Sequence, residues 1–234
     1  MKIVTGTFPF GAQLQRLVQH ERRPKRIFVL GVYASAVHAQ WVGADGRCLV
    51  RALIVASEPG IFWDGSGAEA ILAPIAVPVA AGRLTAAAPN LNGPSGRSLD
   101  ADYLGPLGVS RHDAWLCDLV PYCCMNRSQA AAIEREYEPR RIQLGLPEVS
   151  LPGVPETFAD DERRQEILSE IEESNADLLV LLGDHPVREF LASFDQRRAR
   201  LSDFGTTADA YGRLHEVTLG IGRASCRERV FRVV

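Results

Sequence analysis

Asp177-Leu178-Leu179-Val180-Leu181-Leu182-Gly183 is the stretch whose reading decides the fold. Its unbroken apolar centre is shorter than an ordinary helix and lacks the polar alternation of a half-solvated strand. It therefore reads as a strand buried on both faces, the habit of a parallel sheet covered by helices. The flanks agree. Upstream, Asp160 and Asp161 open an amphipathic helix predicted to reach Ser174, with Ile167, Leu168 and Ile171 on its buried side and its acids at its positive end. Downstream, Pro186 suits the first turn of a following helix.

Working outward, Ile27-Phe28-Val29-Leu30 before Gly31 is a second run of the same kind, and Trp115-Leu116-Cys117-Asp118-Leu119-Val120, closed by Pro121, is a third. Residues 49–56 (LVRALIVA) form a fourth strand candidate, and residues 211–219 a last strand or hairpin. Phe10, Leu14, Leu17 and Val18 recur at helical spacing and predict a short helix stopped by Pro24. Prolines and glycines make 73–97 mostly loop, and 129–143 has helical composition interrupted by Pro139. The expected architecture is α/β, a three-layer sandwich around a central, mainly parallel four-stranded sheet. With no repeat and no flexible linker, a single domain over 1–220 is expected.

Composition bounds the function. The chain has 234 residues, 46% of them hydrophobic and 24% charged, an ordinary globular balance that excludes disordered, collagenous and coiled-coil classes. No apolar run approaches the roughly 18 residues of a membrane span, and no secretory pattern is visible at the N-terminus. Five cysteines at irregular spacing fit reduced thiols in a cytoplasm. A net charge of −3 argues against strong non-specific binding of nucleic acid while leaving room for a local basic groove. Lys2 and Lys25 are the only lysines, so arginine carries the positive charge and suits bidentate contacts to phosphate or carboxylate.

Ile221-Gly222-Arg223-Ala224-Ser225-Cys226-Arg227-Glu228-Arg229-Val230 resembles the read-through translation of a sequencing adapter, since the codons ATC GGA AGA GCG TCG TGT AGG GAA AGA GTG spell it residue for residue. A native arginine-rich tail ending in a short strand is the alternative. On the adapter reading 221–234 is a non-native tail, and without its four arginines and one glutamate the net charge falls to −6.

Three segments carry a family resemblance. They are Phe28-Val29-Leu30-Gly31-Val32-Tyr33-Ala34-Ser35; Ser95-Gly96-Arg97-Ser98-Leu99 continuing through Leu107-Gly108 to Asp113-Ala114-Trp115-Leu116-Cys117-Asp118-Leu119-Val120-Pro121; and the strand 177–183 with Val187 and Phe190-Leu191. In order and spacing they resemble the uracil-DNA glycosylase superfamily, across 27–191. The resemblance implies a base-flipping pocket beyond the carboxyl ends of the strands, damaged DNA as partner, and hydrolysis of the N-glycosidic bond without metal or cofactor; the oligomeric state stays open, with a monomer as the default. It also implies roles. Gly31, Val32, Tyr33, Ala34 and Ser35 form the first catalytic loop. Tyr33 or Trp63 stacks on the base and Asp118 reads its edge. Arg26, His38, Ser95, Gly96 and Arg97 meet phosphates.

The departures from the family are specific. Val32, Tyr33 and Ala34 supply no carboxylate to orient a water, and the nearest acid in sequence is Glu58. Asp118 stands where the family has Asn, which leaves acceptors only unless the group is protonated. The family's His-Pro loop falls beyond Leu219, on the adapter-like tail, so an impaired enzyme is expected; His185-Pro186 opens a helix instead.

Each residue also has a plainer role: Tyr33 as strand-end packing, His38 as a surface residue on the same loop, Asp118 as a turn cap, and Ser95-Gly96 as an ordinary helix start. Cys123 and Cys124 point opposite ways in an extended chain and read as buried thiols. The run Arg22-Arg23-Pro24-Lys25-Arg26 is a phosphate patch or a solubilising helix end. The alternative function is a non-catalytic α/β module binding nucleotide, nucleic acid or protein.

Overall fold

The computed structural model describes residues 4–206, 214–221 and 227–233. The protein is mixed α/β. Its strands are β1 (Ile27–Tyr33), β2 (Ala36–Val42), β3 (Cys48–Ser57), β4 (Arg83–Ala86), β5 (Ala114–Val120), β6 (Leu178–Leu181), β7 (His215–Ile221) and β8 (Arg227–Val233). Its α-helices are α1 (Ala68–Leu72), α2 (Pro94–Ser98), α3 (Arg127–Ala132), α4 (Glu138–Leu144), α5 (Asp161–Ser174) and α6 (Asp184–Glu189). Among the described residues no helix is long and apolar enough to cross a membrane. The chain divides into two compact units, each built from three stretches of sequence.

The unit of Val18–Tyr33, Asp102–Pro121 and Glu156–Val234 holds a sheet in the order β5-β1-β6-β8-β7. β1 runs parallel to β5 and to β6, with Leu30 opposite both Cys117 and Leu181; β1 and β5 end together at Tyr33 and Val120, whereas β6 stops three residues earlier, at Leu181. β8 joins β6 in parallel through Leu178↔Arg232 and Leu179↔Val233, and β7 pairs antiparallel with β8. The unbroken apolar runs are explained by this arrangement: Phe28, Val29 and Leu30 in the middle strand, and Leu179 and Val180 in its neighbour, are fully buried.

α5 begins where expected. The Asp160 carboxylate accepts from the Arg163 N–H at 2.8 Å, and Asn175 ends the helix in a left-handed turn. Burying Ile167, Leu168 and Ile171 is worth about 1.5–3 kcal/mol each. β5 is an edge strand, and its outer edge is covered by side chains: the Leu116 N–H donates to the Gln19 amide at 3.0 Å, and Arg163 donates to the carbonyls of Asp118 and Leu119 at 2.7 and 3.1 Å.

The unit of Met1–Leu17, Ala34–Ala101 and Tyr122–Pro155 holds an antiparallel sheet, β3-β2-β4. Three expectations are corrected here. The strand over 49–56 exists but belongs to this antiparallel sheet, not to the parallel one. Residues 36–42 form β2, so His38 lies in a strand and not on a loop. No helix forms from Phe10 to Val18, because Phe10 (φ 65°) and Gly11 (φ 95°) turn the chain. The Phe10 ring instead meets Trp41 and Tyr137 edge-on, at 5.4 and 5.3 Å between centroids. The Phe10 N–H donates to the Tyr137 hydroxyl at 3.0 Å, which donates in turn to the Pro147 carbonyl at 2.9 Å. These long-range contacts override local periodicity. Over 127–144 the chain is helical in three pieces; a wider-wound turn at Ile133–Tyr137 lets Pro139 sit in the first turn of α4, where its missing N–H is not needed.

Candidate functional site

Parallel strands leave a crevice beyond their carboxyl ends. The expected first loop is corrected: Gly31, Val32 and Tyr33 are still part of β1, which ends at Tyr33. Gly31 is the last fully buried position of β1 and stands opposite Asp118. Val32 is half-buried and Tyr33 is 36% exposed. The Tyr33 ring stacks on Phe158, with planes 13° apart and centroids 6.2 Å apart, and Phe158 packs in turn on His185 at 4.3 Å. Tyr33 thus lies on a buried aromatic ring and keeps part of its surface for a ligand, as a stacking platform requires. Neither Phe158 nor His185, read from sequence only as opening a helix with Pro186, is expected beside Tyr33, since nothing local ties them to it.

Asp118 lies inside β5, two residues before its end, and is 4% exposed. Arg26 is displaced from the expected groove. It precedes β1 and so lies at the opposite edge of the sheet, about 20 Å along the strand from Tyr33 at roughly 3.3 Å per residue.

In the other unit, Ala34 is buried and Ser35 follows it two residues past the end of β1. The Ser35 N–H donates to Oε1 of Glu58 at 2.9 Å. The pairing of β2 with β3, which sets Ala36 opposite Ser57, brings the two together: Glu58 is the residue directly after β3. Glu58 is 4% exposed, and the hydroxyl of Ser57 beside it accepts from the Gln15 N–H at 2.9 Å. Cys123 lies nearby. Burial, with a smaller push from Cys124 and from the Glu58 charge, raises its thiol to about 12. The Ser35 N–H, expected to face a ligand, is already engaged.

The remaining expected contacts are structural. Asn92, 2% exposed, holds the His38 backbone from both sides. The His38 Nε2 lies 3.3 Å from Nε2 of Gln129, whose Oε1 accepts from the Asn126 N–H. With the amide so oriented, Gln129 donates and the neutral imidazole carries its proton on Nδ1. Nδ1 is buried and makes no hydrogen bond among the described residues. Burial lowers the His38 pKa, outweighing the Ala36 carbonyl and Asn92, which favour the charged ring.

Arg97 uses its guanidinium on its own loop, donating to the carbonyls of Asp64 (2.6 Å), Asn92 (2.7 Å) and Pro89 (2.8 Å). Gly96 is required by close approach: a Cβ there would lie 2.2 Å from the Phe62 carbonyl oxygen. Ser95 is exposed in the first turn of the short helix α2. Trp63 packs in the core and donates its indole N–H to the Ser66 carbonyl at 2.8 Å, so its ring offers no stacking face.

Two groups of side chains thus have chemical potential. One is the Tyr33–Phe158–His185 platform at the carboxyl edge of the parallel sheet. The other is the buried Glu58 carboxylate tied to Ser35. Among the described residues no cluster of His, Cys, Asp and Glu could hold a metal ion. No protein-family model, no curated protein and no solved structure matches this chain.

Proposed function

We propose that this chain is a uracil-DNA glycosylase-like protein that takes a damaged base out of DNA and hydrolyses its N-glycosidic bond. The observation that carries the reading is the Ser35 N–H bonded to the buried Glu58 carboxylate, immediately after the parallel strand that ends in Tyr33. A glycosylase needs a carboxylate to orient a water, an aromatic surface to receive the extruded base, and donors for the charge the base acquires. In the parallel unit Tyr33, backed by Phe158, offers the aromatic surface, and in the antiparallel unit Glu58, bonded to the Ser35 N–H, is the candidate carboxylate. The finer architecture that goes with this reading is a three-layer sandwich around a mainly parallel central sheet, of which β5, β1 and β6 are the parallel strands that precede the adapter-like tail.

In the proposed reaction, water attacks the anomeric carbon of the sugar while Glu58 accepts its proton. The bond from that carbon to the base nitrogen breaks, and its electron pair leaves with the base. No His-Pro pair follows Leu219 in the sequence, so weak excision is the expected result for this chain.

Single-turnover gel assays on uracil, hypoxanthine and thymine-mismatch duplexes test this. The expected result is weak formation of abasic product, reduced a further 10²–10⁴-fold by Glu58→Gln. That substitution keeps an acceptor for the Ser35 N–H and removes the base. Retarded migration of the duplex without any abasic product would replace the enzyme by the non-catalytic binding module.

A further inference from the structure

At the amino-terminal edge of the parallel sheet, Arg23, Pro24, Lys25, Arg26, His112 and Asp113 line a cavity of about 340 Å³. We propose that this cavity binds the phosphate group of a small phosphorylated molecule. It is distinct from the glycosylase-like site, from which β1 separates it by about 20 Å.

The cavity is built, not a chance gathering of surface cations. The Lys25 side chain is 1% exposed, and its ammonium donates to Oε2 of Glu21 at 2.6 Å and to the His112 carbonyl at 2.8 Å. An ammonium has three protons, and the third finds no acceptor among the described residues. A buried ammonium that keeps one donor unused beside a cavity, although ion-paired with Glu21, marks a place for an acceptor, since a buried donor without one is costly.

Arg26 adds the exposed half of the site. Its backbone N–H is anchored on the Asp113 carbonyl at 2.9 Å, while its guanidinium makes no hydrogen bond among the described residues. Arg23 binds Glu21 through Nε at 2.8 Å, which leaves its terminal nitrogens free to turn inward. Against these three cations stands one lining carboxylate. Asp113 is capped, with Oδ2 accepting from both the N–H and the hydroxyl of Ser110 at 2.9 Å, and these bonds lower its pKa.

A phosphate, with up to two charges and three terminal oxygens, matches this set better than a carboxylate does. The volume suits a ligand at the small end of known sites. A nucleic-acid backbone fits less well, because its neighbouring phosphates would pass over Glu21 and Asp113 and be repelled.

Calorimetric titration with inorganic phosphate, AMP, adenosine and a short single-stranded oligonucleotide tests the proposal. Wild type is compared with Arg26→Ala and His112→Ala, both exposed positions whose melting curves verify folding. Phosphate and AMP should bind saturably and adenosine should not. Arg26→Ala should weaken phosphate and AMP about tenfold or more and leave oligonucleotide affinity unchanged. Absence of saturable binding by phosphate and AMP overturns the proposal, as does binding that neither substitution alters. Oligonucleotide affinity lost with Arg26 would overturn the small-molecule assignment in favour of a nucleic-acid contact. None of these outcomes depends on glycosylase activity.

Discussion

Asn92 acts as a piece of strand for His38: its Oδ1 accepts the His38 N–H at 2.8 Å and its Nδ2 donates to the His38 carbonyl at 2.9 Å. One side-chain amide thus satisfies both backbone groups of a residue in β2. Asn92→Ala would leave the His38 N–H without its acceptor, while the His38 carbonyl keeps the Ala87 N–H at 3.2 Å. The substitution should cost about 1–3 kcal/mol, read as a lower urea midpoint with an unchanged slope. Asn92→Asp should be no better, because it replaces the donor with a second acceptor facing a carbonyl.

Acid should weaken the fold through His38. Its pKa is lowered in the native state, mainly by burial, so the unfolded chain binds its proton more readily. Stability is therefore complete above the unfolded imidazole's pKa, near ~6.5. It falls as pH drops from there until the native ring itself protonates. A protonated ring would also turn an N–H toward the Gln129 amide. Melting temperatures between about pH 5 and 8 should show this slope, and His38→Gln should flatten it.

Arg163 should be among the costliest side chains to remove. Its side chain is 10% exposed and joins the carbonyls of Asp118 and Leu119 to Glu166 at 2.8 Å, while Glu170 also accepts the Trp115 indole N–H at 2.8 Å. Arg163→Met leaves buried carbonyls and Glu170 without their cation, at a cost of about 3 kcal/mol. Chemical denaturation measures it. A loss no larger than that of an exposed arginine such as Arg135 would show the network to be incidental.

The cysteines should separate by reactivity. Cys48 is exposed, whereas Cys117, Cys123 and Cys124 are buried. Burial raises Cys124 to about 11 and Cys123 to about 12, and holds Cys117 well above its ordinary value despite Arg163. Thiolate is the reacting species, so native-state alkylation near neutral pH followed by peptide mapping should label Cys48 at least about 100-fold faster than these three. Fast labelling of Cys123 would mean that its cluster with Glu58 opens readily.

Much of the parallel unit was legible in the chain. A strand covered on both faces is apolar at nearly every position, so 27–30, 178–181 and, apart from Asp118, 115–120 announce themselves, and Asp160 announces the helix that covers them. The antiparallel unit was not legible in the same way. Ala36-Val37-His38-Ala39-Gln40-Trp41-Val42 is small and mixed in polarity, and its strand character comes from β3 and β4 on either side. Phe10, Leu14 and Leu17 had helical spacing but serve a tertiary cluster around Trp41 and Tyr137.

The candidate site divides along the same line. Gly31 and Tyr33 could be located from sequence, because a glycine and an aromatic closing a buried strand are local signals. The partnership of Ser35 with Glu58, the platform under Tyr33, the engagement of Arg97 and the displacement of Arg26 could not. What the amino-acid order determined by itself was which segments must leave water, since that depends on each residue's own transfer free energy and near-neighbour pattern. Which polar groups meet was decided only by the packed chain, because hydrogen bonds reach about 3 Å and join residues tens of positions apart once strand pairing has set the register.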